Sequence, residues 1–275
     1  MRIALIQTRT PATLDAALQH VEPLIREAAD RGATLILTPE CTNLVQKTRS
    51  LLRPQLRPLN EDPVVLGLRR LAKDLGVSIG IGSALVQGQG DKAANRAVFI
   101  APTGEILATY DKLHMFDVDL PTGETARESE AYQPGDRAVT VLAGEARLGL
   151  TICYDMRFPA LYRALALAGA EIITVPAAFT RPTGEAHWEI LLRARAIETG
   201  SFILAPAQGG GHEDGRGTWG HSLAIGPWGE VLGRLDHDEP GVLVVDLDLT
   251  AVARARTAIP ALANARAFSA PERLA

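Results

Sequence analysis

Short β-rich runs alternate with amphipathic helical patterns along almost the whole chain. The apolar run at residues 34–38, for example, lies between helical patterns at residues 13–31 and 63–75. A continuous apolar run of this kind is typical of a parallel strand that is buried on both faces. No Ser/Pro linker, composition break or fixed-period repeat divides the chain. The alternation therefore predicts a layered α/β fold, formed by one domain that spans residues 1–275.

The composition argues against several classes of protein. The chain of 275 residues has a formal net charge of −4 and no block rich in Lys or Arg, so nucleic acid is not expected as a partner. No apolar run approaches the roughly 20 residues that span a bilayer, and the apolar start is too short for a signal peptide. Two cysteines cannot build a disulfide framework, and the histidines show no metal-binding spacing. We expect a cytoplasmic protein with free thiols that engages no membrane and no metal.

Two segments qualify this regular picture. Residues 111–136 show no convincing period and carry many charges, and loops of that length are usually functional or disordered. A later helix is predicted at residues 185–199, with His187 and Trp188 at its start.

Three reactive side chains follow three different predicted strands. Glu40 comes two residues after the run at 34–38, Lys112 comes two residues after a strand at 105–110, and Cys153 directly follows a strand at 147–152. Ligands of α/β sheets bind at the carboxyl ends of the strands. The spacing therefore places all three side chains in the region where a site is expected.

The residue types suggest acyl-transfer chemistry, although each also has a structural interpretation. Cys153 stands between a strand and a helix, where a sharp turn could expose its sulfur as a nucleophile, but a lone cysteine is more often a small buried hydrophobe. Glu40 could be the base that a thiol needs, or a solvated strand end. Lys112 could hold an oxyanion, or be a surface lysine beside Asp111. Cys41 follows Glu40 directly and is expected to point to the other face.

The remaining candidates are less specific. Arg157 either forms a structural salt bridge or binds a substrate carboxylate. A Cys–His pairing of Cys153 with His187 or His221 is formally possible. The glycines at residues 209–211 precede a polar loop and not a helix, so they are a poor phosphate cradle.

Three segments resemble the signature blocks of the nitrilase, or carbon–nitrogen hydrolase, superfamily. They are the segments at residues 38–40, 110–117 and 152–159, and their order and spacing also fit. Residues 128–129 followed by 134–136 resemble the loop that carries a second active-site glutamate. The likeness extends from Met1 to about Pro260. Within the superfamily the likeness is to the Nit-type amidases, and Thr180 with the stretch at 217–222 favours the branch of deaminated glutathione amidases over the ω-amidases.

The resemblance implies a fold, a mechanism and a set of roles. The fold is an α-β-β-α sandwich, paired back to back as a homodimer and needing no cofactor. The reaction is hydrolysis of the amide bond of a small, carboxylate-bearing substrate like deaminated glutathione, through a cysteine thioester and with release of ammonia. The implied catalytic residues are Cys153 as nucleophile, Glu40 as general base, Lys112 with the backbone N–H of Tyr154 as oxyanion donors, and Glu128 as the group that positions Lys112 or the substrate. The implied substrate-binding residues are Tyr154, Arg157, Phe179 and Thr180.

Three alternatives stay open at this point. The chain could be an ω-amidase that acts on α-ketoglutaramate, or a carbamoyl-amino-acid hydrolase. It could also be a catalytically silent interaction module, because hydrolase folds can serve as binding partners. The segment at residues 46–49 departs from the pattern of close relatives, since it lacks an acidic residue near the expected pocket mouth.

Overall fold

Strands and helices alternate through the computed structural model, which describes residues 1–121 and 123–273. The strands are β1 (Arg2–Gln7), β2 (Leu35–Leu37), β3 (Ser78–Gln87), β4 (Ala93–Ile100), β5 (Ile106–Asp111), β6 (Asp117–Asp119), β7 (Thr125–Arg127), β8 (Tyr132–Gln133), β9 (Val139–Ala143), β10 (Ala146–Leu150), β11 (Ile172–Thr174), β12 (Phe202–Ala205), β13 (Gly209–Gly211), β14 (Gly217–Trp219), β15 (Leu223–Ile225), β16 (Val231–Arg234) and β17 (Gly241–Asp246). The α-helices are α1 (Leu14–Asp30), α2 (Arg49–Leu52), α3 (Pro63–Leu75), α4 (Glu128–Ala131), α5 (Pro159–Leu167), α6 (Arg181–Thr199) and α7 (Thr250–Ala258). Short 3-10 turns span Arg53–Gln55 and Cys153–Arg157.

The two large sheets have the same internal arrangement. In the first sheet the strand order is β17-β1-β2-β3-β4-β5, with β8 beside β4, and β1, β2 and β3 are parallel. In the second sheet the order is β16-β15-β12-β11-β10-β9, and β10, β11 and β12 are parallel. Antiparallel strands flank the parallel centre in both sheets. The unit β1-α1-β2-α3-β3 therefore has a counterpart in β10-α5-β11-α6-β12.

Alternate side chains of β1 show how the layers are stacked. Ile3 and Leu5 belong to a core cluster that also contains Leu148 of the second sheet. Ala4 and Ile6 point the other way and belong to a second cluster, which contains the buried faces of α1 and α3. The first cluster extends to the buried faces of α5 and α6, which cover the outer side of the second sheet. The predicted α-β-β-α sandwich is confirmed.

The structure has one helix with its predicted bounds and differs from the sequence predictions in two other segments. The Asp62 side chain accepts hydrogen bonds from the N–H groups of Val64 and Val65, and Gly76 ends α3 with φ of 66°. The helix predicted at 185–199 begins earlier, at Arg181, because Pro182 fits its first turn. The segment at 111–136 is built from the antiparallel pair β6–β7, the short helix α4 and β8. No helix of the described residues is long and apolar enough to cross a membrane.

Candidate active site

A cavity of about 440 Å³ opens where strands of both sheets end. Glu40 enters it from the segment after β2, and Lys112 enters it from the residue after β5. Cys153 enters it from the other sheet, shortly after β10. The three side chains predicted from their positions after strands therefore meet in one cavity.

Glu40 is buried and saturated with hydrogen-bond donors. Its Oε1 accepts from Lys112 Nζ at 3.0 Å and from Asn95 Nδ2 at 2.9 Å, and its Oε2 accepts from the backbone N–H of Ala178 at 2.9 Å. Burial by itself raises the pKa of Glu40, but the charge and hydrogen bond of Lys112, with hydrogen bonds from Cys153 and Asn95, lower it below its ordinary value. Glu40 is therefore an oriented carboxylate that can receive a proton from Cys153.

Lys112 lies between two carboxylates. Its Nζ donates to Glu40 and, at 2.9 Å, to Glu128 Oε1, and only 2% of its side chain is exposed. Burial by itself lowers the pKa of Lys112, but the charges of Glu128 and Glu40 raise it well above its usual value. The backbone N–H of Phe116 fixes Glu128 by donating to its Oε2 at 2.6 Å. Lys112 is thus a permanent ammonium group beside the cysteine.

Asn95 links the carboxylates and was missed by the sequence analysis. Besides its bond to Glu40, its Nδ2 lies 3.5 Å from Glu128 Oε1, and its backbone oxygen accepts from the N–H of Lys112. Its Oδ1 is buried without a hydrogen-bond partner among the described residues. The available signal was an asparagine inside the apolar strand β4.

The backbone at Cys153 is held in a sharp turn. Its φ is 48°, in the left-handed region that non-glycine residues rarely occupy, and its N–H donates to the oxygen of Pro176 at 2.9 Å. Burial and the charge of Glu40 raise the pKa of the Cys153 thiol well above its usual value, against the opposite effects of Lys112 and the Ala178 N–H. The resting group is therefore a thiol, and attack on a substrate requires its proton to move to Glu40.

A buried aspartate joins the segment of Lys112 to the turn of Cys153. Asp155 Oδ2 accepts from Tyr110 Oη at 2.6 Å and from the N–H of Ile152 at 2.9 Å. Its Oδ1 accepts from the N–H of His114 at 3.0 Å and lies 2.7 Å from His114 Nδ1. Because these partners flank Lys112 and Cys153 in sequence, Asp155 fixes the two segments relative to each other.

Close backbone packing also holds the segment that carries Glu40. The N–H of Cys41 donates to Ser83 Oγ at 2.8 Å, and the N–H of Ser83 donates to the oxygen of Pro39. Gly82 lies so close to this segment that a Cβ there would be 2.1 Å from the oxygen of Thr38. Cys41 itself is buried and packs into the core cluster of α1 and α3, although it also borders the cavity.

The residues implied to bind substrate are divided by the structure. Tyr154, Phe179 and Thr180 line the cavity. Arg157 is not among the described residues that line the cavity. Its guanidinium lies over the rings of Tyr154 and Phe179, 5.9 and 5.4 Å from their centroids. Its Nη2 lies 3.2 Å from His187 Nδ1. The backbone N–H of Tyr154 donates to no other described residue, so it is available to an oxyanion.

Four basic side chains besides Lys112 line the cavity, and the sequence analysis gave none of them a role, although it placed the segment 46–49 near the expected pocket mouth. They are Lys47, Arg49, Arg127 and Arg216, with Glu124 as the acidic residue among them. They come from three separate loops or hairpins, which is why no local pattern revealed them. Within residues 1–121 and 123–273, no three Asp, Glu, His or Cys side chains gather as potential metal ligands.

Comparisons with known proteins identify the family of this chain. The carbon–nitrogen hydrolase family model matches residues 2–257. Deaminated glutathione amidase from Yersinia enterocolitica is 40% identical over 270 residues, which cover 97% of this chain and 93% of that protein. The structure of the Caenorhabditis elegans NitFhit protein matches with a TM-score of 0.86 at 30% identity, over 96% of this chain but only 65% of that one. A mutant amidase from Nesterenkonia sp. AN1, with acrylamide added to its active-site cysteine, matches with a TM-score of 0.79 at 30% identity, over 94% of this chain and 98% of that one. The chain belongs to the carbon–nitrogen hydrolase family.

Proposed function

We propose that the protein is a thiol amidase that hydrolyses an amide bond of a small carboxylate-bearing molecule of the deaminated glutathione type. The observation that carries this proposal is the cluster of Cys153, Glu40 and Lys112 in one cavity. It supplies a nucleophile, a base within reach of its proton and a fixed positive charge for an oxyanion. A relative at 40% identity that is named for this activity supports the same substrate class.

The first half of the reaction forms a thioester. The Cys153 thiol passes its proton to Glu40 while Sγ bonds to the amide carbon, and the electrons of the C=O double bond move onto oxygen. The Lys112 ammonium and the N–H of Tyr154 stabilise that oxyanion. The oxyanion then collapses, the C–N bond breaks and the departing nitrogen takes the proton from Glu40. A primary amide releases ammonia in this step, and a substituted amide releases an amine.

The second half uses the same groups with water as the nucleophile. Glu40 removes a proton from water, whose oxygen bonds to the thioester carbon, and the new oxyanion occupies the same donors. Its collapse breaks the C–S bond, and Sγ recovers a proton from Glu40. Glu128 keeps Lys112 charged and in place throughout, because it accepts a hydrogen bond from Nζ at 2.9 Å.

The cavity also fits this substrate class. A volume of about 440 Å³ is in the range of pockets for small organic ligands, and basic residues predominate at its mouth. A substrate with carboxylate groups is attracted to such a mouth. The ω-amidase substrate α-ketoglutaramate shares this chemistry, so it belongs in the test.

We further propose that the chain is one domain over residues 1–275 and acts as a cytoplasmic homodimer. Four large apolar side chains support pairing, because each is more than half exposed: Leu167 at the end of α5, Ile190 and Ile197 of α6, and Trp228 in the turn between β15 and β16. Light scattering should give twice the chain mass of 29.4 kDa, and Ile190→Glu should shift the protein toward monomer. A wild-type monomer at micromolar concentration would contradict the pairing.

The test of function combines turnover with mass spectrometry. Wild-type protein should hydrolyse deaminated glutathione and release ammonia from α-ketoglutaramate, and a panel with carbamoyl amino acids and nitriles ranks the alternatives. Trapped protein should carry an acyl group on Cys153. Cys153→Ala should lose both turnover and adduct, whereas the matched thiol variant Cys41→Ala should still form the adduct. A wild-type protein that forms no adduct with any of these substrates would support a silent interaction module instead.

A further inference from the structure

One arginine at the cavity mouth is held in place by a buried acid. Arg216 lies in the loop that joins β13 to β14, and its Nε donates to Asp214 Oδ2 at 2.8 Å. The Asp214 side chain is fully buried, whereas the Arg216 side chain is 31% exposed. Asp214 Oδ1 also accepts from the N–H of Arg216, so the same carboxylate fixes the backbone and the guanidinium. Arg216 is therefore oriented before any ligand arrives.

Arg216 forms part of the wall of the cavity. Arg216 and the next two residues, which begin β14, line the same cavity as Tyr154 and Phe179. No other described residue accepts a hydrogen bond from its Nη1 or Nη2. Burial raises the pKa of Tyr132, which also lines the cavity, and the charge of Arg216 acts against that rise. The planar edge that binds carboxylates in a bidentate manner is thus available inside the site.

A second cation shares the same acid. The backbone N–H of Lys47 donates to Asp214 Oδ2 at 2.7 Å. Its Nζ lies 3.5 Å from the position that a Cβ on Gly215 would occupy, next to Arg216. One buried carboxylate therefore stands beside two cationic residues, and both of these residues line the cavity. A bound anion would place a further negative charge beside them.

The sequence analysis left open whether Arg157 binds a substrate carboxylate. The structure shows the guanidinium of Arg157 over two aromatic rings and against His187, outside the described lining of the cavity. Arg216 has the features that this role requires, since it lines the cavity and has a rigid support and a free edge.

We propose that Arg216, oriented by Asp214 and assisted by Lys47, is the subsite that binds a carboxylate of the substrate remote from the reacting amide. This inference rests on the proposed amidase function, because it assigns a group of the substrate to the same cavity. It makes Arg216 the residue that distinguishes anionic amides from neutral amides of similar size.

Kinetics with a charged and a neutral substrate test the proposal. For Arg216→Gln we expect KM for α-ketoglutaramate to rise about tenfold or more, with little change in kcat and little change in KM for butyramide. Arg216→Lys keeps the positive charge but loses the two-point guanidinium contact, so its KM for α-ketoglutaramate should lie between those of the wild type and of Arg216→Gln. Arg234→Gln, at an exposed arginine paired with Asp236, is the matched control. An equal effect on both substrates, or loss of discrimination in Arg157→Gln in place of Arg216→Gln, would overturn the assignment.

A binding measurement separates this proposal from the proposed function. Titration calorimetry with glutarate requires no turnover, so it reports on the subsite even if no amide is hydrolysed. We expect glutarate to bind wild-type protein and to bind Arg216→Gln about tenfold more weakly or not at all, with circular dichroism confirming that the variant is folded. Equal affinity for the two proteins, or no binding to wild type, would refute the subsite. Absence of an acyl adduct on Cys153 in wild-type protein would refute the amidase function, and it would leave the result for glutarate binding unaffected.

Discussion

Gly82 of β3 offers a direct test of how tightly the segment of Glu40 is held. An ideal Cβ at this position would lie 2.1 Å from the oxygen of Thr38, 2.6 Å from the oxygen of Pro39 and 2.3 Å from Cβ of Pro176. Two of these atoms belong to the backbone that precedes Glu40, and Pro176 carries the oxygen that accepts the N–H of Cys153. The Gly82→Ala variant should therefore displace both the segment that precedes Glu40 and the segment of Pro176 that contacts Cys153.

The size of the effect follows from these distances. Since Cβ atoms essentially never lie within 3.0 Å of such neighbours, the backbone beside Glu40 must move by roughly 1 Å, and misplacement of this size can reduce turnover about 100-fold. Overpacking of a filled interior also costs about 1–3 kcal/mol of folding free energy. We expect Gly82→Ala to fold, to melt at a lower temperature and to lose about two orders of magnitude in kcat.

Steady-state kinetics and urea denaturation measure the two effects. Gly211→Ala is the matched control, because a Cβ there meets nothing within 4 Å and its backbone is not in the left-handed region. If Gly82→Ala turns over as fast as Gly211→Ala, then the close packing of β3 does not set the position of Glu40, and the reasoning fails.

Three further predictions concern charge and protonation. In Asn95→Leu the pKa of Glu40 should rise because a donor to its carboxylate is lost, so the acid limb of the profile of kcat/KM against pH should move to higher pH; stability should change little, because the unpartnered Oδ1 is removed as well. In Glu128→Gln the pKa of Lys112 should fall, so the basic limb should move to lower pH and kcat should drop by roughly tenfold to 100-fold; an unchanged basic limb would contradict the role of Glu128. Burial lowers the pKa of His212 from 6.5 to about 4, so as the pH falls the unfolded chain binds this proton before the folded protein does. His212 should therefore contribute a loss of about 3 kcal/mol of stability between pH 7 and pH 4. In urea denaturation at matched pH values His212→Gln should lose less stability than the wild type over this range, and an equal loss would refute this origin.

The parts of the site that sequence reasoning located share one property. Glu40 and Lys112 follow β2 and β5 of the first sheet, and the carboxyl ends of strands that run in the same direction lie at a common edge. Cys153 follows β10 of the second sheet, so its position after a strand predicted a place at the edge of a sheet, and the stacking of the two sheets brings it to Glu40 and Lys112. The helix at 63–75 could also be predicted from the sequence, because Asp62 and Pro63 are typical of a helix start and Gly76 is typical of a helix end.

Contacts between segments that are distant in sequence could not be predicted in this way. Asn95 reaches Glu40 across the first sheet, and the N–H of Ala178 reaches Glu40 from the second sheet. Arg216 lines the cavity from a loop whose Asp214 accepts a hydrogen bond from the N–H of Lys47, a residue far away in sequence. Each of these depends on tertiary packing, which a periodic pattern does not encode.

The proposed base and the proposed nucleophile follow strands of different sheets, and this has a mechanical consequence. Glu40 follows β2 of the first sheet and accepts a hydrogen bond from the N–H of Ala178, which lies in the segment after β11 of the second sheet. Sliding of the two sheets past each other would change the path of the proton between Sγ and the carboxylate. The catalytic rate should therefore depend on how well side chains such as Leu5 and Leu148 fill the core between the two sheets. Core substitutions there should slow turnover while the chain is still fully folded.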